Sequence, residues 1–116
     1  MLWTFQQKIW LYRHPIDFRR QIDGLVMFIS AELKSDPTSG ELFIFRNRQA
    51  NKIKLLWWDE TGFWLMYKRL EKNRFIFPAI DDESLEMTRE QLQLLLSGID
   101  FSKQKLFQKV TAKKFY

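Results

Sequence analysis

The sequence predicts a single α+β domain, an antiparallel β-meander with helices packed on one face. Three observations carry that expectation. An apolar stripe at three-to-four-residue spacing runs through residues 18–33, consecutive runs rich in aliphatic and aromatic residues fill 42–70, and the connections between those runs are too short for a crossover. A chain of 116 residues has room for one domain and not comfortably two. Its 46% apolar share is enough for a real core, and its nineteen aromatics (eleven Phe, five Trp, three Tyr) make that core ring-rich.

The first element is a strand at residues 9–13, Ile-Trp-Leu-Tyr-Arg, which His14-Pro15 ends because Pro offers no N–H to a ladder. Asp17 then stands where a helix N-cap belongs, its carboxylate able to accept from the exposed N–H groups of the first turn. Phe18, Ile22, Leu25, Val26, Ile29 and Leu33 predict a helix over 18–33. Gly24 inside it costs about 1 kcal/mol against Ala, a cost expected to let another backbone come close. Ser-Asp-Pro-Thr-Ser-Gly at 35–40 predicts a loop. Strands are expected at 42–46, 53–58 and 63–70, joined by the polar stretch 47–52 and by Asp59-Glu60-Thr61-Gly62. A fourth run at 74–77 follows a turn at Lys72-Asn73 and is stopped by Pro78. Thr88 caps a second helix over 89–96, with Leu92, Leu95 and Leu96 inward and Gly98 as its stop. The domain is expected to span 1–101, with a lysine-rich tail at 102–116. Met27, Met66 and Met87 read as core filler.

The net charge is +5, unevenly distributed. Residues 1–41 balance to zero, 42–74 carry +5, 75–100 carry −5, and 101–116 carry +5 from lysines alone. This segregation suggests a polyanion-facing middle and tail against an acidic counter-segment; a solvated surface whose blocks neutralise one another is the plainer account. The absence of cysteine removes disulfides, thiolate metal sites and cysteine nucleophiles, and one histidine excludes a two-histidine site. No apolar run approaches the ~20 residues of a membrane-spanning helix, and residues 1–10 lack signal-peptide character. The expected compartment is the cytosol, with no membrane partner and no cofactor.

Alternation along 63–70 puts Phe63, Leu65, Tyr67 and Arg69 on one face and Trp64, Met66, Lys68 and Leu70 on the other. Along 53–58 the faces are Ile53, Leu55, Trp57 and Lys54, Leu56, Trp58. Cations interleaved with rings on a sheet can hold phosphates and stack bases. The candidate nucleic-acid contacts are therefore Arg46, Arg48, Lys52, Lys54, Lys68, Arg69, Lys72 and Arg74, with Trp57 or Trp58 for stacking or a partner. Arg46-Asn47-Arg48 offers two planar guanidinium forks, although turns also select Asn for its own backbone freedom. Rings as core, with Lys and Arg stems over the wet side, is the competing account, and Glu71 could neutralise either cluster. Enzymatic patterns are thin. Glu32-Leu33-Lys34 has an acid-x-Lys spacing, with Asp17 or Asp23 as partner acid, but it sits at a helix end and not on a strand. His14 has no evident catalytic partner, and the four glycines lie far apart.

Asp17-Phe18-Arg19 followed by Asp23-Gly24-Leu25 resembles the opening, DMRKGFDGL, of the insertion-sequence-66 family accessory protein, the TnpB-type product of the element's second frame. The resemblance continues through Asp36-Pro37-Thr38-Ser39-Gly40, Leu42-Phe43-Ile44-Phe45-Arg46-Asn47-Arg48, Ile53-Lys54-Leu55-Leu56-Trp57-Trp58-Asp59, Gly62-Phe63-Trp64-Leu65 and Tyr67-Lys68-Arg69-Leu70-Glu71. It then takes in Arg74-Phe75, Pro78, Leu85, Thr88, Gln91-Leu92, Leu95-Leu96 and Gly98-Ile99-Asp100, covering about residues 10–101 in the family's order. Gln21, Asn73 and Phe77 depart from the family's usual Gly, Gly and Trp. The resemblance implies an accessory factor for transposition, encoded beside a transposase that carries the catalytic acids, and unrelated to the RNA-guided nucleases of the same label. The expectation is a non-enzymatic protein that binds DNA through a basic sheet edge to assist that transposase. The alternative is an interaction module that touches the transposase and not DNA, marked by exposed rings such as Trp58 or Trp64. Oligomeric state stays open.

Overall fold

The computed structural model describes residues 6–99. The expected domain boundary at 101 and the tail at 102–116 lie outside the described residues. The elements run β1 (Ile9–Tyr12), α1 (Ile22–Ala31), β2 (Leu42–Arg46), β3 (Lys52–Trp58), β4 (Phe63–Arg69), β5 (Ser84–Met87) and α2 (Arg89–Leu96). The strands form one sheet in the order β4-β3-β2-β1-β5.

The class is α+β, as the sequence predicts, and β2, β3 and β4 form the antiparallel meander set up by their short connections. Two details of the expectation are corrected. The sheet is mixed, because β1 pairs parallel with β2, Ile9 opposite Leu42 and Leu11 opposite Ile44. The segment between them carries α1 and is long enough for the crossover that a parallel pair requires. The helices lie on opposite faces of the sheet. Leu25 and Ile29 of α1 pack with Phe43, Phe45 and Leu56, whereas Leu92 and Leu95 of α2 pack with Ile9, Leu11, Leu42, Ile44, Ile53, Leu55 and Trp57. The central strands are apolar on both sides, so each face needs a cover.

The run at 74–77 is not a strand; Phe75 instead drops its ring into the α2-side core and donates its N–H to Ala50 O. The sheet's other edge is closed by β5, whose Leu85 and Met87 face that same core opposite Leu11 and Ile9. α1 is shorter than the stripe. Asp17 is not its cap but organises a preceding turn, with Oδ1 accepting the Arg19 N–H at 2.9 Å and the carbonyl accepting from Arg20 N–H. The Arg19 side chain pairs with the same carboxylate and holds its pKa down to about 2. The N-cap of α1 is Gln21, which makes no side-chain capping bond. Gly24 faces the Arg20 side chain and no foreign backbone; a Cβ there would meet Arg20 Cβ at 3.3 Å. Met27 is exposed and not core, while Met66 is half-buried and Met87 buried.

α2 follows its sequence signals closely. Thr88 Oγ1 accepts the Gln91 N–H and the Gln91 side chain accepts the Thr88 N–H, a complete capping box. At the other end Gly98 takes φ +80° while Ile99 N–H reaches Leu94 O and Gly98 N–H reaches Leu95 O, a Schellman stop. Asn73, in the expected turn, takes φ +68°.

Candidate nucleic-acid interface

β2 and β4 finish, and β3 begins, at one end of the sheet. The loops at that end are tied together: Leu70 N–H bonds to Asn51 O at 2.8 Å and Phe75 N–H bonds to Ala50 O at 2.8 Å. Residues 46–52 and 69–75, separate in sequence, therefore form one rim. It carries Arg46, Arg48, Lys52, Arg69, Lys72 and Arg74 against the single carboxylate of Glu71. Glu71 is taken by Arg69, Nε to Oε2 at 2.9 Å. Arg48, Arg69, Lys72 and Arg74 are exposed, and Lys52 is half-buried directly across the ladder from Arg69.

Asn47 builds the hairpin that presents these charges. It is buried, its Oδ1 accepts the N–H groups of Asn51 (3.1 Å) and Lys52 (3.0 Å), and its Nδ2 donates to Asn51 Oδ1 at 2.7 Å and Gln49 Oε1 at 3.2 Å. The left-handed position in this loop falls on Ala50, φ +61°, and not on Asn47. Between the hairpin and residues 15–18 lies a hollow of about 430 Å³ lined in part by Arg48, Lys52, Gln49 and Phe18.

Arg46 sits deeper. Its guanidinium lies 5.1 Å from the Phe77 ring centroid and donates to Arg13 O at 3.1 Å. Burial, and then the charge of Arg48, press its pKa downward. Beyond it the rim changes sign: Asp81, Asp82 and Glu83 precede β5, and Arg13 is bonded there through its N–H to Glu83 O and its side chain to Asp81 O. The acidic counter-segment is thus beside the cationic loops, on the β5 side of the same end.

Other expected contacts lie elsewhere. Lys54 is only 3% exposed, and its ammonium donates to Phe18 O at 2.9 Å and Arg20 O at 2.6 Å, between the rings of Phe18 and Tyr67. Burial pushes its pKa below the usual lysine range. It is an internal clamp, holding the chain ahead of α1 onto β3, and it leaves the exposed set. Lys68 faces α2 and caps that helix, its ammonium on Leu96 O at 2.8 Å. A hollow of about 580 Å³ adjoins it, lined also by Arg89 and Gln93.

Trp57 and Trp58 do not join the cationic rim. Trp57 is buried and stacks on Trp64 with centroids 5.9 Å apart, and Trp58 is half-buried against Phe63 at 4.9 Å. They stand at the far end of β3 from Lys52, about 20 Å along a seven-residue strand. Among the described residues the exposed Trp, Tyr and Phe rings are Trp64 and Tyr67, 43% and 54% accessible, both on β4. Sequence reasoning missed the Asp59 role here. Its Oδ2 accepts the Trp64 Nε1–H at 2.6 Å while Oδ1 takes the N–H groups of Thr61 and Gly62, and these bonds hold its pKa below the ordinary carboxylate value. Among the described residues no three His, Asp or Glu side chains gather as a metal site would need, and Glu32 and Lys34 lie exposed beyond α1.

The arrangement is that of a small α+β protein with a cationic rim set on a rigid sheet. The family comparison makes the assignment specific: residues 7–106 match the model described as "IS66 Orf2 like protein", and the chain belongs to that family. It is 37% identical over 98 residues to the protein y4jC of Sinorhizobium fredii (strain NBRC 101917 / NGR234), covering 84% of each chain. It is 34% identical over 94 residues to y4hO of the same strain, covering 81% of this chain and 82% of that one. Both carry the description "uncharacterized protein". No solved structure matches. The family associates the protein with the transposition of insertion sequences as an accessory component. No helix among the described residues is long and apolar enough to cross a membrane.

Proposed function

We propose that this chain is a non-enzymatic accessory protein in transposition that grips DNA phosphates with its cationic rim and so assists the transposase of the same element in the cytoplasm. The observation that carries this reading is the tying of loop 46–52 to loop 69–75, which brings six cations to one end of the sheet with one carboxylate among them. Arg48, Lys52, Arg69, Lys72 and Arg74 make the phosphate contacts, with Arg46 behind them. Such contacts fix position on a duplex and carry no sequence information of their own. Trp57 and Trp58, on this placement, support the core and have no part in base stacking.

Fluorescence anisotropy of labelled duplex and single-stranded DNA tests the proposal, with one duplex carrying the element's terminal repeat and another a scrambled repeat. Affinity is expected to fall with salt, at a slope of about −0.9 per phosphate neutralised on duplex DNA. Arg48→Ala with Arg74→Ala should flatten the slope by about 2. An unchanged slope removes the rim from the contact. A second reading, an interaction module that binds the transposase without DNA, draws on the exposed Trp64 and Tyr67 of β4. It predicts transposase capture from nuclease-treated extract that Trp64→Ala abolishes and the double arginine variant does not.

A further inference from the structure

We infer that the outer edge of β4 pairs with β4 of a second copy of this chain, antiparallel about a two-fold axis at Met66. β4 is an edge strand of seven residues, with no neighbouring strand on its outer side among the described residues. Its main-chain phase is fixed by the bonds at its two ends. Leu70 N–H goes to Asn51 O and Gly62 O accepts from Asp59 N–H, so the even-numbered residues between them bond inward to β3. Phe63, Leu65, Tyr67 and Arg69 therefore direct their N–H and C=O groups outward. A strand of this length with a free edge is a template for another strand.

The sequence of β4 is complementary to itself in one register. Centred on Met66, it sets Phe63 against Arg69, Trp64 against Lys68, Leu65 against Tyr67 and Met66 against Met66. All seven residues are then paired, and every outward-bonding residue meets another, giving up to about eight main-chain hydrogen bonds. The two rings exposed on β4, Trp64 and Tyr67, gain partners on their own faces of the sheet: the Lys68 stem for the indole and Leu65 for the phenol.

Charge selects the same arrangement. One end of β4 adjoins Asp59 and Glu60, and Asp59 is held ionised by the bonds described above. The other adjoins Arg69, Lys72 and Arg74. Antiparallel pairing brings the acidic hairpin of each copy level with the basic segment of the other, twice by symmetry. A parallel pairing would set like charges side by side. The occupant that fits this edge is thus a second copy.

The test uses the intact chain and its lack of cysteine. Light scattering after size exclusion should give the dimer mass at micromolar concentration. Met66→Cys should cross-link on mild oxidation, because a non-hydrogen-bonded antiparallel pair brings its Cα atoms to about 4.5 Å, within disulfide reach. Tyr67→Cys should not, its two copies lying about 8 Å apart in this register, beyond that reach. Tyr67→Pro removes an outward N–H that β3 does not use, and should give a folded monomer by circular dichroism. A monomer mass for the natural chain overturns the inference, whether a further part of the chain covers the edge or nothing does. A dimer whose Met66→Cys variant fails to cross-link overturns it equally, and this readout stands even where the Tyr67→Pro chain does not fold.

Discussion

Lys54 separates a binding residue from a structural one, and Lys54→Met shows which it is. The substitution keeps a long flexible stem and removes the ammonium, leaving the carbonyls of Phe18 and Arg20 facing a thioether that cannot donate. Each buried acceptor left unpaired costs about 1–3 kcal/mol. Freedom from the ammonium's burial penalty, visible in its lowered pKa, offsets part of that loss. The net loss is about 2–4 kcal/mol, which in a domain of this size lowers Tm by roughly 10–20 °C. Urea and thermal unfolding followed by tryptophan fluorescence measure it. Lys54 also leaves a signature in pH. Its folded pKa lies below its unfolded value, so the unfolded chain binds more protons in the window between the two. Stability contributed by this group therefore rises with pH from the depressed folded value toward 10.5, and Lys54→Met should lose that rise. At a temperature where both proteins are folded, DNA affinity and its salt slope should match the natural chain's. A stability loss under about 0.5 kcal/mol together with a salt slope shallower by about 0.9 would refute the internal role and return Lys54 to the phosphate contacts.

Two further outcomes follow from groups that shape the rim and its opposite end. Asn47→Ala strips four hydrogen bonds from a buried hairpin residue and should cost about 2 kcal/mol. It should also weaken DNA binding at an unchanged salt slope, since the loop loses its order and keeps its charges; a steady affinity in anisotropy would show that hairpin order does not matter. Asp59 has a folded pKa below its ordinary 3.8, first because Trp64 Nε1 donates to it and next because the Thr61 N–H does. Its contribution is therefore complete above the ordinary carboxylate value and lost as pH falls through the depressed one, and Asp59→Asn should flatten that limb of the acid-unfolding curve.

The elements that proved legible are those whose signals are local. α2 carries its start in Thr88 and Gln91 and its stop in Gly98, all within one short stretch, and the capping box and left-handed turn form where those residues stand. β2, β3 and β4 announce themselves because two short connectors leave hairpins as their only geometry. The parallel pairing of β1 with β2 and the addition of β5 to β1 depend on contacts across more than thirty and seventy residues, and nothing in four residues of Ser-Leu-Glu-Met marks a strand in advance. Helices on two faces were readable in principle. Phe43 and Phe45 alternate with Leu42 and Ile44, so β2 is apolar on both sides, and a strand of that kind is covered twice.

The proposed rim is only partly legible in the sequence, for the same physical reason. Arg48, Lys52, Lys72 and Arg74 stand in or beside loops, where a cation needs no internal partner, and the fold leaves Arg48, Lys72 and Arg74 at the surface as their loop positions imply. Lys54 stands in the middle of Ile-Lys-Leu-Leu-Trp on a strand with neighbours on both sides and helices on both faces. A charge there cannot reach water, so its ammonium must find oxygen inside, and the turn ahead of α1 supplies it through the carbonyls of Phe18 and Arg20. The deciding signal was the apolar run around the lysine, not the lysine itself. Trp57 follows the same rule: a ring on a central strand is core, and the rings left for a partner are those of the edge strand, where pairing stops.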